Sequence, residues 1–277
     1  MPWPFEREYM QLALLAGVVV GACAPLIGAF LVPKHMSLLG DGLGHLAFAG
    51  VAAGLLLDVW PIWSALVAAV VGAVAIEWMR SRRRTSGDLA LALVFYGGIA
   101  LAVVLASRAD AGAVNVVPYL FGSILTVTWS DVRVVVALGI VIVATLAVAG
   151  RALLAIVLDE ESARVSGLPV DGLNTLLAAL TAVTIVAAMR VVGVLLVAAM
   201  MVLPVAASRL FARSFLGTMA GAVAVGVVSV VAGLTAAREW ELAPGGAIVC
   251  TSVVVYALGA TVAGVGRRGG AGPVIPR

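Results

Sequence analysis

Asp41 and His45 are the two residues of this sequence whose types and spacing are best suited to chemistry. They stand at the head of MSLLGDGLGHLAFAGVAAGLLL, residues 36–57, a stretch otherwise dominated by Gly, Ala and Leu. Four positions apart on a helix, the two side chains share one face about 6 Å apart, with Gly44 and Phe48 alongside. A carboxylate and a neutral imidazole so placed can hold one divalent cation. That donor pair suits zinc, manganese or ferrous iron, and suits magnesium and calcium poorly because they prefer all-oxygen shells. Two ligands are too few for tight binding, and a two-fold dimer with this helix at its axis would bring four together. The plainer alternative is structural: Asp41 caps the helix start and His45 bonds to nearby backbone. Ionisable groups inside an apolar segment are functional by default in a membrane.

The elements that must position this pair follow from composition. Of 277 residues, 63% are hydrophobic and 11% charged, with mean hydropathy +1.18. A soluble domain carries about a quarter charged residues, so the chain reads as a polytopic helical membrane protein. At about 20 residues per span there is room for about eight to ten crossings within one transmembrane domain, 1–277, and no sizeable extramembrane domain. The sequence contains no GxxxxGK[ST] phosphate loop, so any ATP hydrolysis must come from another chain. The net charge of +3 sits in short connections and speaks for orientation rather than for nucleic acid. Cys23 and Cys250 fall inside apolar runs and read as small buried thiols. The opening MPWPFEREYMQ lacks the basic n-region and cleavage site of a signal peptide, so the first span is expected to stay as an anchor.

Apolar runs bounded by charge, Pro or Gly fall near residues 10–32, 42–57, 61–79, 88–106, 131–150, 173–189, 191–207, 215–236 and 245–265. These are nine candidate spans. An eight-span version remains open because two runs meet at Arg190 almost without a loop. Four arginines between Arg80 and Arg84 mark that loop as cytoplasmic. Lys34, Arg209, Arg213, Arg267 and Arg268 then also fall inside, which puts the N-terminus outside and the C-terminus in the cytoplasm. Residues 107–130 are too long for a turn and too short for a full span. They read as an interfacial or re-entrant helix with Tyr119, Phe121 and Trp129 at headgroup level. Small residues four apart, at Gly17/Gly21, Gly40/Gly44, Gly50/Gly54 and Gly217/Gly221, point to close helix crossings.

LDEESARVSGLPVDGLN, residues 158–174, is the second informative stretch. Asp159, Glu160 and Glu161 precede a short run that stops at Gly167 and Pro169, which predicts one or two helical turns with an acidic start. On the cytoplasmic side this would be a rigid knob able to receive force from a partner, or else a solvated connector. His35, next to Lys34, reads as a solvated turn residue. Glu77 with Arg80 and Arg84 reads as an ion-pair cluster at the membrane edge, Asp88 as a first-turn acid, and Met200 and Met201 as packing.

At this level the sequence resembles the permease subunits of bacterial ABC importers for zinc, manganese or iron(II), the ABC-3 family. MSLLGDGLGHLAFAGVA is similar to its M-S-x-x-G-D-x-L-x-H-A-x-x-x-G-V-A segment, SGDLALALVFYGG to its D-x-A-x-x-x-x-F stretch, and YLFGSILTVTWSD to its Y-L-F-G-x-I-L-x-V-x-x-x-D loop. DEESARVSGLPV resembles its D-E-E-x-A-R-x-x-G-V-P-V loop, and VVGVLLVAAMMVLPVAASRLFAR its V-G-x-L-L-V-x-A-x-L-x-x-P-A-A-x-A-R segment. The five motifs run in order from about residue 10 to residue 260. The resemblance implies an all-α bundle of the vitamin-B12-importer-like type in the bacterial plasma membrane. It also implies a homodimer, two copies of a cytoplasmic ATPase, an external metal-binding receptor protein, and no permanently bound cofactor. By position, Asp41 and His45 match the family's metal-pathway pair. Asp159, Glu160, Glu161, Ala163, Arg164 and Gly167 match the loop that docks onto the ATPase. Gly44 and Leu46 stand where the family has Ala on either side of the histidine, and Leu168 where it has Val. The rival class, a gradient-driven secondary transporter or channel, needs a chain of acids or histidines across several spans. Beyond Asp41 and His45 the apolar runs hold none at mid-membrane depth.

Overall fold

The computed structural model describes residues 5–81, 87–108 and 117–269, and the regular structure in them is helical throughout. In chain order the helices are α1 Glu8–Leu31, α2 Leu39–Leu56, α3 Pro61–Ser81, α4 Gly87–Arg108, α5 Val117–Phe121 and α6 Trp129–Leu158. They continue as α7 Glu160–Val165, α8 Val170–Ala188, α9 Val194–Arg209, α10 Phe215–Glu239 and α11 Pro244–Gly269. Eight of them are long and apolar enough to cross a bilayer, and the ninth apolar run, α9, has 16 residues. That length spans about 24 Å at 1.5 Å per residue, short of a hydrocarbon core of about 30 Å. The crowded junction near Arg190 therefore resolves into two separate helices, the second a short one. Their connection turns at Gly193, whose φ of +88° is a left-handed value that a side chain would oppose.

Local chemistry sets the helix ends. Pro61 and Pro244 open α3 and α11, where the missing N–H costs nothing. Thr128 and Asp131 form a reciprocal capping box at the start of α6, and Ser214 caps α10 by accepting from Gly217 N–H. At 30 residues, α6 is about 45 Å long, more than a bilayer core needs, and its far end carries α7.

Two helices organise the bundle. α2 lies between α3, α4, α8 and α9, with Leu43, Ala47 and Val51 fully buried, and α1 lies between α6, α8, α9 and α10. The small-residue spacings sit largely at these crossings. Gly40 and Gly44 face Ala198 and Val194 of α9, Gly50 and Gly54 face the start of α3, and Gly17 and Gly21 face Val230 and Gly226 of α10. Gly221 meets Ser208 of α9, whereas Gly217 meets only Ser214 and Ala212 near its own cap. Gly28 lies directly against the Met201 carbonyl, a contact any side chain would block.

One sequence expectation changes: Cys23 is buried but Cys250 is exposed. Tyr119 is half-buried under the Arg190 guanidinium, 4.9 Å from ring centre to Cζ, while Phe121 and Trp129 are exposed. Met200 and Met201 are fully packed. Glu77 is buried and accepts from Arg80 at 2.6 Å, whereas Arg84 and the side chain of Asp88 lie outside the described residues.

Candidate functional site

The head of α2 is held by the way α1 ends. Met36 N–H donates to Leu31 C=O at 3.1 Å and His35 N–H to Val32 C=O at 3.2 Å, the paired bonds that close a helix through a left-handed residue. His35 is that residue, with φ +56°, and it is exposed as a turn residue should be. α2 then begins behind Leu38, which offers no side-chain cap, and Asp41 is the third residue of the helix, within its first turn. The capping alternative for Asp41 is therefore not what the fold uses.

Asp41 is half-buried between two cavities. One, of about 260 Å³, is formed with Leu91, Ala92, Phe95 and Tyr96 of α4. The other, of about 320 Å³, is formed with Leu195, Ala198, Ala199 and Val202 of α9. His45 follows one turn along the same face, half-buried, its ring edge-on to Phe95 with centroids 4.9 Å apart at 84°. The residues flanking the histidine fit their surroundings. A Cβ on Gly44 would sit 3.3 Å from the Val194 carbonyl, and the Leu46 side chain fills the space over Gly72 of α3. The fold thus places the predicted pair on one face of α2, with Asp41 at the cavities and His45 against Phe95. Among the described residues no three His, Cys, Asp or Glu side chains gather into a ligand cluster. One chain supplies two donors.

The 159–168 stretch folds as the short helix that its sequence predicts. Asp159 caps α7, its carboxylate accepting from Glu161 and Ser162 N–H and from the Ser162 hydroxyl, bonds that hold its pKa below the usual carboxylate value. Gly167, at φ +83°, closes the helix: its N–H reaches Arg164 C=O and Leu168 N–H reaches Ala163 C=O, both at 3.1 Å. Ala163 is buried against the bundle and Arg164 pairs with Asp171 at 2.9 Å. Leu158, Glu161 and Val165 stand out from the surface, Val165 at 86% exposure. Burial raises the Glu160 pKa, but its bonds to Lys34 and that residue's charge outweigh burial, so the net shift is downward.

Sequence reasoning missed a third cluster. Arg190, in the α8–α9 connection, donates to Asp131 at 2.8 Å and to Thr126 C=O at 3.1 Å while its own C=O accepts from Ser123 N–H. It ties the α5 loop to the start of α6 and to α9. Gly122, Gly193 and Gly245 let the three backbones meet there. The available signals were the T-x-x-D cap at Thr128–Asp131 and a lone cation between two apolar runs.

The model of the ABC 3 transport family matches residues 6–263. The chain belongs to that family. It is 32% identical over 262 residues to a Treponema pallidum (strain Nichols) protein named "Probable metal transport system membrane protein", covering 95% of this chain and 98% of the relative. It is 30% identical over 252 residues to the high-affinity zinc uptake system membrane protein ZnuB of Haemophilus influenzae, covering 91% and 96%. The solved structure of PsaBC from Streptococcus pneumoniae in complex with Fab superposes with a TM-score of 0.83 at 28% identity, covering 92% of this chain and 91% of that one. This permease is accordingly the membrane-embedded subunit of an ABC importer, a transport component and not an enzyme. Membership in such a family implies an ATPase and a substrate-binding partner.

Proposed function

We propose that this permease carries a divalent transition metal, zinc in the first place and manganese or iron(II) next, into the cell, with Asp41 and His45 as its transient ligands. The observation that carries the reading is the placement of these two donors on one half-buried face of α2, Asp41 lining two cavities and His45 one turn along, edge-on to Phe95. A hydrated ion crossing there must replace part of its water shell, and an imidazole nitrogen with a carboxylate oxygen is the replacement zinc accepts well. Few ligands keep the hold weak enough for release, as conduction requires. A second copy brought against this face by a two-fold axis would raise the donors to four. In such a dimer the α7 of each chain receives one ATPase copy, two in all, the receptor delivers metal to the opposite face, and the N-terminus lies outside with the C-terminus in the cytoplasm.

The test is radiometal uptake by the permease reconstituted with its ATPase and receptor. Asp41→Ala and His45→Ala are expected to abolish uptake of labelled zinc while insertion and ATPase association persist. Normal uptake by both variants overturns the assignment. Competing zinc and manganese in the same vesicles ranks the cargo.

A further inference from the structure

We propose that Lys34 is a positioning residue that passes movement of α7 to the head of α2, where Asp41 sits. The inference rests on reading α7 as the segment that the ATPase engages.

Lys34 is the point at which three elements meet. Its ammonium donates to Glu160 of α7 at 3.0 Å and to Asn174 of α8 at 2.7 Å, and its side chain is only 7% exposed. Asn174 is itself buried. A lysine held this way keeps little of its usual rotamer freedom, so it acts as a strut rather than as a tether.

What lies on either side of the strut is stiff. Toward the coupling segment, Glu160 is the first residue of α7, a helix capped at both ends by Asp159 and Gly167. Toward the site, Lys34 lies inside the closure that ends α1, between Val32 and His35, and the next bonded turn, Leu39 N–H to Met36 C=O at 3.0 Å, starts α2. Asp41 is seven residues from Lys34 along this bonded path. The other cations of the neighbourhood have closer partners than Glu160: Arg80 donates to Glu77 and to Met36 Sδ, and Arg164 pairs chiefly with Asp171. Lys34–Glu160 is thus the ion pair that joins α7 directly to the α1–α2 turn. A push on the exposed face of α7 displaces Glu160 and, through it, the turn that sets the position of Asp41.

The experiment uses the complete permease–ATPase complex in proteoliposomes. Cys23 and Cys250 are replaced by Ala, and an environment-sensitive fluorophore is placed on Ser37→Cys, in the cavity wall beside Asp41. ATP is expected to change this signal in the parent. Lys34→Met should reduce the change at least tenfold while ATPase co-purification and hydrolysis stay within twofold. Lys34→Arg should restore most of it, and so should the exchange of Lys34→Glu with Glu160→Lys. An undiminished signal in Lys34→Met overturns the proposal. So does loss of ATPase association in step with the signal, because Lys34 would then merely hold α7 folded. Metal uptake is read in the same vesicles. A parent that shows the ATP signal but moves no metal refutes the transport reading and leaves the strut standing.

Discussion

The Arg190–Asp131 pair offers the sharpest test of how the loop after α5 is held. The two side chains are 13% and 3% exposed and meet at 2.8 Å. Asp131→Asn keeps an acceptor for Thr128 N–H, now at 2.9 Å, so the α6 cap largely survives. What it removes is the counter-charge of a guanidinium whose Nε already lacks a hydrogen-bond partner and whose remaining supports are Thr126 C=O and the Tyr119 ring. Leaving a buried charge without its partner costs about 3–5 kcal/mol. Arg190→Met should cost less, about 2 kcal/mol, because Asp131 keeps its Thr128 bonds. The double variant buries no charge, so it should fall short of the summed single costs by about 2 kcal/mol or more. At about 2–4 °C per kcal/mol, Asp131→Asn alone should lower the melting temperature of the detergent-solubilised permease by on the order of 10 °C. If the two losses simply add, the pair is an incidental contact and the loop is held by its glycine packing alone.

Three further outcomes follow from the same coordinates. Gly28→Ala should destabilise by about 1–3 kcal/mol, because the new methyl meets the main chain of Met201, which cannot swing away, while Gly97→Ala, with open space around it, should be neutral or slightly stabilising in a melting assay. Glu160 has a lowered pKa in the fold, so its bond to Lys34 contributes fully above the ordinary glutamate value of 4.5 and is lost as pH falls through the lower folded value. The ATP-driven signal at residue 37 should therefore be flat across neutral pH and fade only on strong acidification, and a midpoint near pH 7 would contradict this. Metal titration of the assembled complex should saturate at one ion per two chains, as four shared donors require, and one ion per chain would show that a single pair suffices.

Much of this was legible in the sequence, and the reason is the bilayer. A hydrocarbon layer forces long apolar runs and punishes stray charge, so each of the nine runs corresponds to a helix, and the few ionisable groups inside them become conspicuous. Asp41 and His45 could be paired because helical spacing alone brings them to one face. α7 could be drawn to the residue because Asp159 and Gly167 carry their own start and stop chemistry. What escaped reading depends on contacts far apart in the chain. Arg190 and Asp131 are 59 positions apart, and Lys34 and Glu160 are 126, and no local pattern announces either pair. The Tyr119 contact with Arg190 belongs to the first of these, and the exposure of Cys250 depends on which face of α11 finds a neighbour.

α9 explains why a short helix is useful at this place. Its start meets the α5 loop, where Gly193 touches the backbone of residues 120–122, and its first turns meet α2, where Val194 and Ala198 lie against Gly44 and Gly40. Between glycine and small side chains there is little slack, since backbones in direct contact cannot absorb a shift by rotating a side chain. A displacement of the α2 head must therefore carry α9 with it or open a gap beside Asp41, where the cavity already lies. The same helix that walls Asp41 is bound at its other end to the loop held by Arg190. Through α9, the position of the α2 head and the state of the α5 loop are mechanically linked, and Lys34 gives that linked unit its contact with α7.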